Sequence, residues 1–71
     1  MFLEALKLKY EAEMNAAKAN LSVYMNSSVG IGEHPDIVEA VETQVRRYNE
    51  AKEMYDSVVD MMKWFEFDET Q

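Results

Sequence analysis

Residues 26–35, NSSVGIGEHP, hold both glycines and the only proline of this 71-residue chain, and they separate two long segments. Glycine and proline interrupt regular helices, so this stretch predicts a break between two elements. Pro35 suits the first turn of a second helix, where its missing N–H leaves no hydrogen bond unmade. Asn26 or Gly30 can adopt the left-handed conformation that ends a first helix. We therefore expect a turn over residues 27–34 with a helix on each side.

The segment before the turn has the pattern of an amphipathic helix over residues 2–26. It is rich in Ala, Leu, Lys, Glu and Met, which favour helices. Its apolar residues recur at steps of three and four, as on one face of a helix. This stripe consists of Leu3, Leu6, Tyr10, Met14, Ala17, Leu21 and Tyr24. A row of small residues beside it either admits a close-packed neighbour or simply favours the helix. The row consists of Ala5, Ala12, Ala16 and Ala19, with Val23.

The segment after the turn predicts a second helix over residues 35–63. Its stripe has the same spacing and runs into the C-terminal segment. The stripe consists of Ile37, Val41, Val45, Tyr48, Ala51, Tyr55, Val58, Met62 and Phe65. It is widened on its two sides by Val38, Met54, Val59 and Met61. A connection of fewer than about ten residues between long helices favours antiparallel neighbours. The predicted fold is a single all-α domain over residues 1–71, an antiparallel two-helix hairpin.

Two helices cannot bury this much apolar surface, and a chain of this size without cysteine has no disulfide to stabilise it. We therefore expect two copies to pack into a four-helix bundle, which makes the chain a homodimer. The four tyrosines would lie in or beside the seam, with their hydroxyls at the rim. The competing interpretation is a monomer whose apolar face binds a different protein.

The C-terminal segment 64–71, WFEFDETQ, alternates aromatic residues with acids and contains the only tryptophan. Phe65 continues the stripe of the second helix, whereas Trp64 and Phe67 lie off it. One interpretation makes this tail part of the bundle, and the other makes it a partner-binding motif, since large aromatics are enriched at interaction hot spots. The candidate interface residues are Leu3, Leu6, Tyr10, Met14, Leu21, Tyr24, Ile37, Val41, Val45, Tyr48, Tyr55, Met62, Trp64, Phe65 and Phe67.

The charge distribution argues against nucleic-acid binding. The formal net charge is −7, and all of it falls in residues 33–71, because residues 1–32 carry equal numbers of acids and bases. Such a surface repels phosphates, so no direct contact with nucleic acid is expected. No apolar run is long enough to span a bilayer, and the N-terminal sequence lacks a signal-peptide pattern. We therefore expect no membrane contact and a cytoplasmic location.

The residues that could support catalysis or metal binding do not form a complete set. His34 is the only histidine and lies beside Glu33 and Asp36, but the Glu-x-x-His motif of carboxylate-bridged metal bundles is absent. Gly30 and Gly32 do not make a nucleotide-binding loop, which needs a third glycine and a preceding strand. The sequence therefore predicts no enzyme activity, no cofactor and no metal site.

Three stretches resemble small uncharacterised proteins encoded by contractile-tailed phages of marine cyanobacteria. They are FLEALKLKYEA at 2–12, AKANLSVY at 17–24 and VGIGEHPDIVEA at 29–40. The resemblance covers roughly residues 2–60, and VGIGEHPD is its most specific part. It implies a phage origin and a host bacterial cytoplasm, and it implies no active residues.

The main functional hypothesis is a small helical interaction protein that binds a host or phage protein. One alternative is an acidic nucleic-acid mimic that inhibits a nucleic-acid-binding protein. Its binding would weaken steeply with ionic strength, whereas an apolar interface would not. Another alternative is a minor structural component of a virion, which mass spectrometry of purified particles would detect.

Overall fold

Two helices account for almost all of the described chain. The computed structural model describes residues 1–26 and 35–65. Helix α1 spans Phe2–Asn26 and helix α2 spans Pro35–Trp64, and these residues include no strand. The second helix ends one residue later than predicted, and the amide of Phe65 still donates a hydrogen bond to the carbonyl of Met61 at 3.0 Å. The predicted turn over 27–34 lies outside the described residues.

The helices are antiparallel neighbours, as predicted. Two side-chain hydrogen bonds join them: Asn20 Nδ2 donates to Gln44 Oε1 at 3.0 Å, and Arg47 Nε donates to Glu13 Oε1 at 2.9 Å. From one contact to the other, the α1 residue moves back from Asn20 to Glu13 while the α2 residue moves forward from Gln44 to Arg47. The two helices therefore run in opposite directions. The Cα atoms extend over 54 × 14 × 12 Å, which is the shape of a two-helix rod. The all-α hairpin is therefore confirmed.

The contact line between the helices repeats every seven residues. Its members are buried or half-buried, and their spacing alternates between three and four residues, which is typical of helices that supercoil gently around each other. On α1 the contact line consists of Leu3, Lys7, Tyr10, Met14, Ala17, Leu21 and Tyr24. On α2 it consists of Ile37, Val41, Gln44, Tyr48, Ala51, Tyr55, Val58 and Met62.

The contact line differs from the predicted stripes at two inner positions. Leu6 is 38% exposed and Val45 is 52% exposed, and their places are taken by the half-buried Lys7 and Gln44. A lysine can cover an apolar surface with its methylene chain while its ammonium group stays in water. Gln44 is tolerated because Asn20 donates a hydrogen bond to its side-chain oxygen. The apolar residues predicted at these steps lie at the edge of the contact.

The buried core consists of small side chains. Of the described residues only Ala17, Ala51 and Val58 are buried, and no large side chain is fully buried. Small residues at these positions let the two helix backbones approach closely. Because two helices contact each other along a single line, each covers only a narrow strip of the other. Most of the apolar surface therefore stays accessible to water.

Candidate interaction surface

One side of the hairpin carries an open groove along the contact line. Its walls are formed by Lys9, Tyr10, Glu13, Arg47, Glu50, Ala51 and Met54. Tyr10 and Ala51 belong to the contact line, and the other five residues flank it on the same side. We call this side the groove face and define it by those five residues, two from α1 and three from α2.

An ion pair bridges the helices within the groove face. The Arg47 guanidinium and the Glu13 carboxylate are 2.9 Å apart, and both side chains are only partly exposed. Lys9 lies one turn away, with its Nζ 5.4 Å from the centre of the Tyr10 ring. Glu50 provides a second carboxylate on α2. Each helix therefore contributes one acid and one base to the middle of this face.

Towards the open end of the hairpin, where α1 begins and α2 ends, the groove face becomes apolar. Positions seven residues apart share a side of a helix, so Phe2 and Leu6 lie on the side of Lys9 and Glu13. By the same spacing, Met61 and Trp64 continue the side of Met54 and Glu50. Phe2 is 84% exposed and Trp64 is 72% exposed. We call this surface the open-end patch. It consists of Phe2, Leu6, Met54, Met61, Trp64 and Phe65.

Phe65 stays accessible to water, although its position continues the contact line. It is 50% exposed. The Glu13–Arg47 and Asn20–Gln44 contacts define the register of the helices. In that register the start of α1 is level with the part of α2 between Val58 and Met62, so the last residues of α2, among them Phe65, extend beyond α1. The interpretation that makes Phe65 part of the bundle stays a prediction, because it needs a second hairpin.

The other candidate interface residues fall into two groups. Ten are half-buried along the contact line, where they join the helices of one hairpin: Leu3, Tyr10, Met14, Leu21, Tyr24, Ile37, Val41, Tyr48, Tyr55 and Met62. Leu6, Val45, Trp64 and Phe65 are exposed, and Phe67 lies outside the described residues. Sequence reasoning missed Phe2, Met54 and Met61 as interface candidates. Seven-residue steps place Phe2 with Lys9, and Met54 and Met61 with Arg47, but grouping the two sets needs the register between the helices.

The side of α2 that faces away from α1 is charged. Within α2, Glu42 pairs with Arg46 at 3.3 Å, and Asp56 accepts a hydrogen bond from Lys52 Nζ at 3.1 Å. The Asp56 carboxylate raises the pKa of Lys52 above its usual 10.5, first through this hydrogen bond and then through its charge. These pairs place cations among the acids of α2, so its outer surface lacks the uninterrupted negative charge of a nucleic-acid backbone.

The side of α1 that faces away from α2 is weakly polar. Ala5, Ala12 and Ala19 follow each other at seven-residue steps and are all exposed, while Ala16 is half-buried. Leu8 adds a larger exposed apolar side chain there, whereas the exposed Val23 lies two seven-residue steps from Lys9, on the groove side of α1. The row of small residues predicted from the sequence therefore lies mainly on the outer surface of α1.

The residues that were considered for metal binding and set aside lie mostly outside the described chain. Within residues 1–26 and 35–65, no group of three or more His, Asp or Glu side chains is placed to hold a metal ion. Glu33 and His34 fall outside these ranges, and Asp36 is exposed near the start of α2. Neither α1 nor α2 has the length and apolar character needed to cross a membrane.

No family model, no curated protein and no solved structure matches this chain. The features that indicate a function are therefore the groove face, the open-end patch and the charges around them.

Proposed function

We propose that this chain is a non-catalytic helical protein-interaction module that acts as a homodimer, with two hairpins packed into a four-helix bundle. The observation that carries the proposal is the imbalance between exposed and buried apolar side chains. Among the described residues, twelve large hydrophobic side chains are exposed, whereas the buried core has three small ones. Monomeric proteins rarely leave contiguous apolar patches of more than a few hundred Å² in water.

The stability of a single hairpin also supports a dimer. A chain of 71 residues buries a modest fraction of its surface, and this one has no cysteine to cross-link it. Among residues 1–26 and 35–65, its largest buried side chain is a valine. A second hairpin would cover side chains that are half-buried at the edges of the contact line. Burial of apolar area stabilises a fold by about 25 cal/mol per Å², so this added cover is substantial.

We further propose that the dimer binds another protein and that the chain is phage-encoded and acts in the host bacterial cytoplasm. The resemblance of residues 2–60 to small cyanophage proteins supports the setting. The exposed Trp64 supports protein binding, because tryptophan is the residue type most enriched at interaction hot spots. The paired charges of α2 weigh against the nucleic-acid mimic.

The dimer is tested by sedimentation equilibrium and light scattering on the intact chain. We expect a mass twice the chain's 8.3 kDa at micromolar concentration. A mass of one chain at every concentration up to the millimolar range would overturn the homodimer.

Partner binding is tested by affinity capture from host lysate, with the wild-type chain and a Trp64→Glu variant compared in parallel. We expect a protein that the wild type retains and the variant loses. Leu8→Glu is the matched control, since Leu8 is also exposed but lies on the outer surface of α1. Equal capture by all three chains would contradict binding through Trp64.

A further inference from the structure

The order of apolar and charged residues on the groove face makes it complementary to the groove face of a second copy. Towards the open end it carries the open-end patch, and at mid-length it carries Lys9 and Glu13 on α1 and Arg47 and Glu50 on α2. The two helices thus carry opposite charges at matching levels: Glu13 is level with Arg47, and Lys9 is level with the α2 turn that contains Glu50. A surface of this kind is complementary to any copy that presents α2 where the first copy presents α1.

We propose that a second copy of this chain covers the groove face, related to the first by a two-fold axis parallel to the helices. This inference rests on the proposed homodimer and specifies the face and the orientation. A rotation of 180° about such an axis places α1 of each copy against α2 of the other at the same level. Every pair of adjacent helices is then antiparallel, which is the usual arrangement of a four-helix bundle with short connections.

The register within one hairpin fixes the contacts between the two. Because the axis preserves the level of each residue, Glu13 faces Arg47 of the partner subunit, and Lys9 faces Glu50 of the partner subunit. Leu6 precedes Glu13 by seven residues and Met54 follows Arg47 by seven, so Leu6 meets Met54 of the partner subunit. Phe2 approaches Met61 of the partner subunit, where thioether–aromatic contacts are favourable. Trp64 lies at the edge of this contact, just beyond the start of α1 in the partner subunit.

The area of the open-end patch is sufficient for a stable dimer when the charged residues are included. Phe2 and Trp64 are mostly exposed, and the other four patch residues are between 38% and 50% exposed. With about 150–250 Å² for each large side chain, the patch presents roughly 600 Å² per copy. Stable interfaces bury about 800 Å² per partner, and the four charged groups at mid-length supply the remainder.

The opposite side of the contact line is a poorer candidate. Val38, Val45 and Met25 are exposed there near the connection between the helices. Lys18 and Lys52 interrupt them at seven-residue steps from Met25 and Val45. This side also lacks an aromatic residue as large as Phe2 or Trp64 among the described positions. A contact there buries apolar side chains that are separated by lysines, whereas the open-end patch gathers six apolar side chains at one end of the hairpin.

The test uses two full-length variants, Lys9→Glu and Glu50→Lys, each alone and mixed. In a homodimer of either variant, two like-charged pairs replace two opposite-charged pairs. In the mixed dimer, Glu at position 9 faces Lys at position 50 of the other chain, and the remaining pair is the native one. Both altered side chains are exposed in the hairpin, so each variant keeps its helical circular dichroism.

We expect each variant alone to dimerise roughly tenfold more weakly than the wild type at low salt, and the mixture to form heterodimers that recover most of this loss. Native mass spectrometry of chains with different isotope labels counts the three species. Val45→Lys, on the opposite side of the contact line, serves as the matched control and leaves dimerisation unchanged. The assignment of the groove face would be overturned if the wild type dimerises but the mixed variants show no preference for the heterodimer. It would also be overturned if Val45→Lys is the only variant that dissociates the dimer. In that outcome the homodimer stands. A monomeric wild type would overturn the homodimer itself.

Discussion

The guanidinium of Arg47 donates a hydrogen bond from Nε to Oε1 of Glu13 at 2.9 Å, and this contact joins residues 34 positions apart in the chain. It sets the level of α1 against α2, and every seven-residue step from it identifies another facing pair. Leu6 and Met54 are the next pair towards the open end. One ion pair therefore shows which exposed side chains of the two helices belong to the same surface.

Replacing Glu13 by Gln tests the contribution of this ion pair. Since both side chains are partly exposed, solvent screens the interaction, and we expect a loss of about 0.5–1 kcal/mol in the free energy of unfolding. Urea denaturation followed by circular dichroism measures it. Glu42→Gln is the matched control, because Glu42 pairs with Arg46 within one helix and should cost only about 0.3 kcal/mol. Equal losses would mean that the Glu13 contact adds nothing to the packing of the two helices.

Replacing Ala17 by Leu tests the close approach of the helices. Ala17 has no exposed surface and lies on the contact line, so a larger side chain forces the helices apart and should cost about 1–3 kcal/mol. Thermal unfolding of the variant measures the loss. Ala19→Leu is the control, since Ala19 is exposed on the outer surface of α1 and its substitution should change stability by less than about 0.5 kcal/mol. A melting temperature for Ala17→Leu at or above that of Ala19→Leu would contradict the packing.

Replacing Leu21 by Asp places a charge on the contact line near the connection between the helices. We expect a loss of about 2–4 kcal/mol, enough to remove much of the helical signal of so small a hairpin. Val23→Asp introduces the same residue two positions later on the exposed side of α1 and should stay folded. Circular dichroism at 222 nm distinguishes the two variants. A folded Leu21→Asp chain would show that this part of the contact line is not needed.

The sequence predicted both helices and their antiparallel contact because these depend on helix-breaking residues and on apolar spacing. It did not predict the exact contact line. Lys7 and Gln44 lie on it because a methylene chain and a satisfied amide are tolerated at a partly exposed seam. A search for apolar residues alone selects Leu6 and Val45 instead.

The groove face depends on the register between the helices, and no pattern within one helix contains that information. Phe65 illustrates the same point. Its spacing matches the stripe of α2, but its exposure follows from where α1 begins relative to α2. Position along one helix was predictable, whereas position relative to the second helix required the structure.

The ionisation of Lys52 provides a test of α2 that does not depend on association. The Asp56 carboxylate raises the pKa of Lys52 above 10.5 in the folded chain. The pair therefore contributes to stability below pH 10.5, and this contribution disappears as the pH rises through the folded-state value. A titration of the Lys52 side chain by NMR should give a pKa above 10.5. Asp56→Asn should lower it, and an unchanged value in that variant would contradict the contact.

Trp64 is the only tryptophan, so its fluorescence reports directly on the open-end patch. In one hairpin its side chain is largely exposed, and a dilute solution should therefore emit at the long wavelength of a hydrated indole. If a second copy covers the groove face, the emission should shift to shorter wavelength as the concentration rises. The midpoint of this shift should coincide with the increase in mass seen by light scattering. Met54→Lys places a charge in the patch, and its emission should stay at long wavelength at concentrations where the wild type is dimeric. A wild-type dimer whose Trp64 emission never shifts would show that the copies meet elsewhere.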